Sequence, residues 1–301
     1  MKRVLLLVNA RARSGSDKYE EIKTALEAAG HRVLDPPELE DAPDFRDVIR
    51  KHKDEADLVI VGGGDGTINC VLPALVETKL PLVVFPLGTA NLLARSFNIK
   101  AGIADLLELL DSGEEVPIDL GMVNGIYFIN VCGLGISTEV NRRVSSRLKK
   151  LTGPFSFWIT GLKLRKLLHP FRIKLTTDDG TSIVTRTWQI TICNGRKYAA
   201  WMTIEPDANY DDGTLRCLST EVKKWWQGIK LLPYYFRGNY RDGLDVNFLT
   251  GKKIRLETPK PLRIDVDGDV QTTTPATFEI KPKAIKLILP KTLGDSLPIQ
   301  G

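Results

Sequence analysis

Two glycine-rich turns carry the residue types that could bind phosphate groups. The first turn, Gly62–Thr67, reads GGGDGT and directly follows the apolar, β-branched run Val59–Val61. The second turn, Gly88–Asn91, reads GTAN and comes soon after the apolar run Pro81–Pro86. Glycine lets a phosphate approach the backbone closely, and the start of a helix offers free N–H groups and a positive dipole end. Both turns are therefore predicted to join a strand to a helix and to bind phosphate.

Each turn also has a simpler interpretation. Gly62–Thr67 could be an ordinary strand-to-helix turn, and Thr89 could serve only as the N-cap of the following helix. Neither turn matches the Walker or dinucleotide-binding fingerprint. Two such turns at the ends of neighbouring parallel strands would nevertheless lie side by side, and together they would form one phosphate cradle.

Asp65 is the unusual member of the first turn. A carboxylate is strongly disfavoured beside bare phosphate, because like charges repel. Its presence suggests that Asp65 either binds a metal ion or makes a structural hydrogen bond.

Composition limits the class of protein. The chain has 301 residues, 43% of them hydrophobic, which is enough for one large or two medium domains. The formal net charge of +5 permits an anionic partner without specifying one. Four widely spaced cysteines without a CxxC pair predict buried free thiols in a reducing cytosol. No apolar run reaches the roughly 18 residues that a membrane-spanning helix needs.

The hydrophobic pattern changes along the chain. Up to about residue 118, short apolar strands alternate with helical segments, which predicts an α/β domain with a parallel sheet. The later part alternates between apolar and polar residues with frequent turn residues, which predicts an antiparallel domain, built as a two-sheet sandwich. The predicted strands of that domain include 171–177, 183–193, 214–219, 253–258, 262–266, 277–281 and 285–289.

GGGDGT at 62–67 and PLGTAN at 86–91 resemble the motifs of the diacylglycerol kinase catalytic domain family. That family includes sphingosine and ceramide kinases and bacterial lipid kinases. The GGDG turn alone would not suffice, because phosphofructokinases and NAD kinases have a similar one. Further segments resemble the family in the same order along the chain, namely Asn9–Gly15, Ile118–Gly121, Phe128–Gly135, Pro206–Leu215 and Asp265–Asp269.

The resemblance implies two domains. The first is a Rossmann-like α/β domain of the phosphofructokinase and NAD kinase type, at residues 1–118, with a segment at 290–301 that returns to it. The second is an antiparallel β-sandwich for the lipid substrate, at residues 119–289. ATP and Mg²⁺ are the implied cofactors.

Phosphoryl transfer needs a phosphate cradle, a divalent metal and a base that takes the proton of the acceptor hydroxyl. We predict that Asp267 is the base, because Val266–Gly268 is similar to the start of the family's Asp-Gly-Glu segment. Asp269 replaces that Glu and is one methylene shorter. Asp267 and Gly268 could instead form only a type I′ hairpin turn. The predicted nucleotide-binding residues are Asn9, Arg13, Gly63, Gly64, Gly66, Thr67, Gly88, Thr89 and Asn91.

Three carboxylates are candidate Mg²⁺ ligands. Asp65, which we also count as catalytic, and Asp119 are predicted to hold the catalytic ion, since hard oxygen ligands suit it. The resemblance implies a structural ion at Asp212, for which a simple charged turn is the alternative. Leu92 stands where bacterial members often have Asp, so the metal network is expected to be smaller here.

Two stretches combine basic and aromatic residues. The first lies between Val140 and Thr177, which contains no acidic residue, and the second runs from Lys223 to Arg237. They could be helices packed on the sandwich with solvated basic edges. Because both are basic and aromatic, we expect contact with an anionic membrane surface. No nucleic-acid-binding motif is present.

The sequence therefore predicts a cytoplasmic, peripherally membrane-associated lipid kinase that phosphorylates the hydroxyl of diacylglycerol or a related lipid. One alternative is a kinase of a soluble acceptor, similar to NAD kinases. Another is a non-catalytic lipid- or nucleotide-binding protein of the same fold. The identity of the lipid, the nucleotide preference and the oligomeric state, a homodimer included, stay open.

Overall fold

The computed structural model describes residues 1–9, 15–34, 44–136, 138–139, 169–195, 197–199, 202–203, 209–221 and 246–291. The chain divides into two compact units. Unit 1 consists of Met1–Leu120, Asn209–Asp211 and Lys281–Gly301, and unit 2 consists of Gly121–Ala208 and Asp212–Ile280. The chain thus returns to unit 1 at Lys281, earlier than the predicted residue 290.

Unit 1 contains helices around a parallel sheet. Its elements begin with β1 (Arg3–Val8), α1 (Gly15–Ala28), β2 (Arg32–Leu34), α2 (Phe45–Lys51), β3 (Leu58–Gly63), α3 (Asp65–Thr78), β4 (Leu82–Pro86), α4 (Leu92–Ser96), α5 (Ile103–Ser112) and β5 (Glu114–Val123). The strand order is β2-β1-β3-β4, and all three pairings are parallel. β3 and β4 are buried along their whole length, as is usual for parallel strands covered on both faces. The predicted α/β architecture is confirmed.

The carboxyl ends of the parallel strands point to one edge of the sheet. Asn9 follows β1, Gly64 follows β3 and Leu87 follows β4. Both glycine turns therefore begin at this edge, which is where open α/β sheets bind their ligands.

Unit 2 is built almost entirely of strands. They are β6 (Ile126–Phe128), β7 (Val131–Gly135), β8 (Phe171–Thr177), β9 (Ser182–Thr187), β10 (Gln189–Cys193), β11 (Lys197–Ala199), β12 (Met202–Thr203), β13 (Leu215–Thr220), β14 (Val246–Gly251), β15 (Lys253–Glu257), β16 (Arg263–Val266), β17 (Asp269–Thr273) and β18 (Ala276–Leu289), the last of which ends in unit 1.

Two sheets of unit 2 share one hydrophobic core. The first sheet has the order β14-β13-β10-β7-β16-β17, and the second places β15 between β18 and β8, with β9 at its edge. Leu134 and Ile192 come from the first sheet and Leu175 and Leu256 from the second, and all four lie in the same buried cluster. The predicted β-sandwich is confirmed.

Two strand predictions differ from the structure. The segment 183–193 is not one strand but β9 and β10, which belong to different sheets because the chain changes sheet at Trp188, whose N–H donates to the carbonyl of Thr220. The segments 277–281 and 285–289 are parts of the single strand β18. The alternation of apolar and polar residues is a local pattern, so it shows neither the change of sheet at Trp188 nor the continuity of β18.

Three of the four cysteines are buried free thiols, as predicted, namely Cys132, Cys193 and Cys217. Burial raises the pKa of the Cys217 thiol to about 12. Cys70 is exposed, which contradicts the prediction for that residue, because it lies on the outer side of α3.

In the described part of the chain, no helix is both long enough and apolar enough to cross a membrane. Arg13, residues 140–168 of the first basic and aromatic stretch, and all of the second stretch lie outside the described residues.

Candidate active site

The two glycine turns of unit 1 lie against each other. β3 and β4 pair with Gly63 opposite Pro86, and the N–H of Leu87 donates to the carbonyl of Gly63 over 2.9 Å. A Cβ atom built on Gly88 would lie only 2.6 Å from the Cα of Gly64. The predicted side-by-side arrangement is confirmed, and this backbone contact leaves no room for a side chain at Gly88.

The first turn is closed by contacts among predicted nucleotide-binding residues. A Cβ atom on Gly63 would lie 2.5 Å from the Cβ of Thr67. The side-chain amide of Asn9 donates to Thr67 Oγ1 over 2.9 Å, and its backbone N–H donates to the carbonyl of Gly62 over 2.8 Å. Asn9, Gly63 and Thr67 are therefore brought together, as the sequence predicts.

The start of α3 is suited to an anion. Gly64 is its N-cap residue and has no side chain that could cap the N–H groups of the first turn. Gly66, in that first turn, is exposed to solvent. A 14-residue helix presents a positive dipole end at this point. The first turn can therefore bind phosphate oxygens through backbone groups.

Asn91 shapes the second turn. It adopts a left-handed backbone conformation with φ 46°. Its side chain accepts from the N–H of Gly88 and donates to the carbonyl of Gly88, each over 2.9 Å. Asn91, and not Thr89, is the N-cap residue of α4, so the N-cap interpretation of Thr89 is wrong. Thr89 is instead exposed at the tip of the turn.

Asp65 connects the two turns. Its carboxylate lies at the start of α4 and accepts a long hydrogen bond of 3.4 Å from the N–H of Leu93. Burial raises the pKa of the Asp65 carboxyl, and the N–H groups of Leu93, Leu92 and Asn91 partly oppose this increase. Of the two roles open to Asp65, the structure directly supports the hydrogen-bonding one.

Asp119 has a structural contact of its own within unit 1. It is 1% exposed, and its Oδ1 accepts from the N–H of Lys283 over 2.8 Å. Lys283 has a left-handed conformation with φ 48°, at the point where β18 was predicted to break. Asp119 therefore stabilises the irregular part of β18.

Asp212 is paired with a cation from the protein itself. Both carboxylate oxygens accept from the guanidinium of Arg216, and Oδ1 also accepts from the N–H of Thr214 over 3.0 Å. The side chains of Arg216 and Asp212 are only 10% and 27% exposed. A guanidinium therefore neutralises the carboxylate that was predicted to hold a structural Mg²⁺.

The structure does not show a metal site at any of the three candidate carboxylates within the described residues. Across the described ranges, no group of three or more His, Cys, Asp or Glu side chains converges so that it could hold a metal. Asp65, Asp119 and Asp212 each accept hydrogen bonds from nearby donors. Mg²⁺ binding stays a prediction, and no chemical step below is assigned to the ion.

Asp267 lies in a tight turn of unit 2. The turn joins β16 to β17, and Asp267 and Gly268 have φ angles of 47° and 103°. Positive φ at both central positions is typical of a type I′ hairpin, so the hairpin interpretation is confirmed.

The hairpin does not account for the contacts of the Asp267 side chain. Its Oδ2 accepts from the N–H of Ile129 over 2.8 Å, and its Oδ1 accepts from the N–H groups of Asn130 over 3.0 Å and Val131 over 2.9 Å. Its own N–H donates to the carbonyl of Val131 over 2.9 Å. Three backbone donors stabilise the ionised carboxylate and fix its orientation. The role of Asp267 as a base stays a prediction, and the side chain is held as an ordered acceptor.

Two further residues that the sequence did not identify as site residues support this turn. Asp265 Oδ1 accepts from the N–H of Gly268 over 2.9 Å. Asn194 donates to the segment that contacts Asp267, and it is 1% exposed. The only available sequence signal for Asn194 was a polar residue directly after the apolar strand Gln189–Cys193.

Comparison with known proteins covers both units. A family model described as the diacylglycerol kinase catalytic domain matches residues 3–123. A second, described as the YegS C-terminal NAD kinase beta sandwich-like domain, matches residues 130–289, more than half of the chain. The chain belongs to the diacylglycerol kinase and YegS-like family of lipid kinases. Its resemblance to that family, predicted from the motifs, is confirmed.

Individual relatives agree with this family. The chain is 29% identical to a YegS-like probable lipid kinase of Shewanella frigidimarina, over 95% of this chain and 94% of that one. It is 27% identical to a diacylglycerol kinase of Bacillus subtilis, over 81% of each chain. A crystal structure of a diacylglycerol kinase from Bacillus anthracis has the same fold, with a TM-score of 0.72 at 22% identity and coverage of 97% and 98%.

Proposed function

We propose that this protein transfers the γ-phosphate of ATP to the hydroxyl of a lipid, with diacylglycerol as the first candidate. The observation that carries the proposal is the match to both family models, over residues 3–123 and 130–289. Relatives named as diacylglycerol kinases and as a probable lipid kinase support the acceptor class.

In the proposed reaction, the lipid hydroxyl oxygen forms a bond to the γ-phosphorus. The bond from that phosphorus to the oxygen that bridges it to the β-phosphorus breaks, and its electron pair leaves with ADP. The hydroxyl proton moves to the carboxylate of Asp267, and a lipid phosphate monoester is the second product. A positioned base of this kind contributes about 10²- to 10⁴-fold to a rate.

Unit 1 would bind the nucleotide phosphates. The two turns meet through the backbone atoms of Gly64 and Gly88. Preorganised N–H groups stabilise phosphate charge with little reorganisation. Asp65 would keep the second turn beside the first through the start of α4.

A membrane-embedded acceptor requires that the enzyme reaches the membrane surface. We propose peripheral association with anionic membranes on the cytoplasmic side, through the basic and aromatic stretches at 140–177 and 223–237. Co-sedimentation with liposomes of phosphatidylglycerol is expected at low salt and should weaken as salt is raised. Equal sedimentation with neutral phosphatidylcholine liposomes would contradict the electrostatic part of the proposal.

The test of the reaction is transfer of radiolabelled γ-phosphate from ATP into a panel of lipids in mixed micelles that contain Mg²⁺. We expect label in one lipid class, and a loss of about 100-fold or more in Asp267→Asn, because an amide cannot take the proton. Asp179→Asn is the matched control. Asp179 lies in the β8–β9 hairpin turn of the same unit and accepts from the N–H of Thr181 over 2.8 Å.

Label that persists in Asp267→Asn would keep the kinase and exclude Asp267 as the base. If ATP binds and no lipid is labelled, the lipid kinase proposal fails. The same assay with soluble acceptors, NAD included, then separates a kinase of a soluble acceptor from a non-catalytic binding protein.

A further inference from the structure

Two hydrogen-bond chains run from Asn194 to the same oxygen of Asp267. In the first, the side-chain amide of Asn194 donates to the carbonyl of Ile129 over 3.1 Å, and the N–H of Asn130 in the same peptide group donates to Asp267 Oδ1 over 3.0 Å. In the second, the backbone N–H of Asn194 donates to the carbonyl of Asn130 over 3.0 Å, and the N–H of Val131 donates to Oδ1 over 2.9 Å.

Each chain passes through one peptide group. A donor that binds the carbonyl end of a peptide polarises it and strengthens the N–H at its other end as a donor. Asn194 therefore increases the stabilisation that both N–H groups give to the Asp267 carboxylate. It also limits the rotation of two consecutive peptide planes, which sets the direction of these N–H groups.

Because Asn194 is buried, its hydrogen bond to the Ile129 carbonyl is needed to keep the segment 129–131 in place. The residue is 1% exposed, so in the folded protein the Ile129 carbonyl is supplied with a donor by this amide and not by bulk water. A buried carbonyl that loses its donor costs free energy, and the segment relaxes to find another partner. Relaxation there moves the N–H groups that hold Asp267.

We propose that Asn194 is a positioning residue for Asp267, which it orients and keeps ionised through the peptide groups of residues 129–131. The inference rests on the proposed function in one respect, the assignment of Asp267 as the group that takes the proton of the acceptor. Asn194 itself takes no part in bond making or proton transfer.

Asn194→Ala removes the chain that begins at the side-chain amide and leaves the backbone chain in place. We expect kcat to fall on the order of 10-fold, by analogy with residues that orient metal ligands, while KM for ATP stays within about twofold. The acid limb of the kcat–pH profile should move to higher pH, because a carboxylate with weaker donors is protonated more easily. A purely structural role would not move this limb.

Thr191→Val is the matched control. Thr191 lies on β10, three positions before Asn194, and is also buried, at 4% exposed. Its variant should keep the acid limb of wild type even if its unfolding temperature falls. An unmoved acid limb in Asn194→Ala would overturn the proposal. If Asn194→Ala does not fold, Asn194→Ser, which also lacks the amide, is measured in its place.

A second measurement needs neither a lipid nor turnover. With ¹³C-labelled aspartate, the carboxyl carbon of Asp267 is identified by its disappearance in Asp267→Asn, and its NMR titration is followed in wild type and Asn194→Ala. A higher midpoint in the variant supports the positioning role, and equal midpoints overturn it. If wild type labels no lipid, the proposed function fails and this titration alone decides the inference.

Discussion

The two candidate regions, one in each unit, are built in different ways. In unit 1 the two glycine turns proposed to bind phosphate meet through the backbone atoms of Gly64 and Gly88, whose closeness follows from neighbouring parallel strands. In unit 2 the proposed functional group is the Asp267 side chain, and its carboxylate accepts a hydrogen bond from the N–H of Ile129, which lies 138 positions away along the chain.

This difference determines how each region can fail. A cradle made of backbone is sensitive to added atoms, because any Cβ at the contact separates the turns. A carboxylate held by distant donors is sensitive to the loss of a hydrogen bond, and less sensitive to changes in size nearby. The two kinds of sensitivity can be tested separately. One substitution adds a methyl group to the glycine turns, and another removes a hydrogen-bond donor near Asp267.

The largest effect is expected for Gly88→Ala. The new methyl group would lie 2.6 Å from both Asn91 Oδ1 and the Cα of Gly64, so the turns must move apart. The φ angle of Gly88 is not positive, so the change is steric and introduces no backbone strain. KM for ATP should rise by about 100-fold, the equivalent of about 2.7 kcal/mol.

Gly180→Ala is the control for Gly88→Ala. Gly180 has φ 86°, and a Cβ there meets nothing within 4 Å. It should cost about 1 kcal/mol of unfolding free energy, from backbone strain, and leave KM for ATP unchanged. Gly88→Ala with wild-type ATP binding would show that the contact of the two turns is not needed for nucleotide binding.

The second prediction concerns the Asp212–Arg216 ion pair and tests whether Asp212 holds a metal ion. Arg216→Met should lower the free energy of unfolding by about 2 kcal/mol, because it leaves Asp212 partly buried without its cation. EDTA should not change the unfolding temperature of wild type, since the guanidinium already neutralises Asp212. Both are measured by thermal unfolding with EDTA and with Mg²⁺.

Asp212→Asn is the matched variant for this test. It keeps an acceptor for the N–H of Thr214 but leaves the Arg216 guanidinium, whose side chain is only 10% exposed, without its anion, so it should also lower the free energy of unfolding. A marked fall in the unfolding temperature of wild type with EDTA, reversed by Mg²⁺, would instead support the structural ion that the family resemblance implies for Asp212.

The turns of unit 1 could be predicted from sequence because their determinants are local. An apolar strand, consecutive glycines and a helical pattern follow one another within Val59–Val76, and the neighbour relation of β3 and β4 follows from the α/β pattern. In the structure α3 spans Asp65–Thr78, so the helix begins inside the first glycine turn.

The support of Asp267 could not be predicted in the same way. The N–H groups of residues 129–131 and the amide of Asn194 approach it only after β7, β10 and β16 pair in one sheet. Local pattern also failed at Trp188, where the alternation continues although the chain changes sheet. In both cases the deciding hydrogen bonds join residues far apart in the chain.

The smallest effect is expected for Asp65→Asn, which keeps an acceptor oxygen for the N–H of Leu93 and removes a buried charge. Since burial raises the folded-state pKa of Asp65, the ionised side chain destabilises the fold above that pKa, and the difference vanishes below the unfolded value of about 3.9. The variant should therefore unfold about 2 °C higher than wild type at pH 7, and equally at pH 3.5.

Asp57→Asn is the control of opposite sign for Asp65→Asn. Hydrogen bonds from Arg3 lower the pKa of the Asp57 carboxyl, so this residue stabilises the fold above about pH 3.9, and the stabilisation is lost as pH falls through its folded-state pKa. Its variant should unfold at a slightly lower temperature than wild type at pH 7, with the difference closing in acid.

A lower unfolding temperature for Asp65→Asn than for wild type at pH 7 would mean that the charge itself holds the start of α4 beside the first turn. The rate of phosphate transfer by Asp65→Asn then separates the two roles of Asp65. If the variant is folded and stable but has lost activity, the predicted role of Asp65 as a metal ligand is favoured over the hydrogen-bonding role.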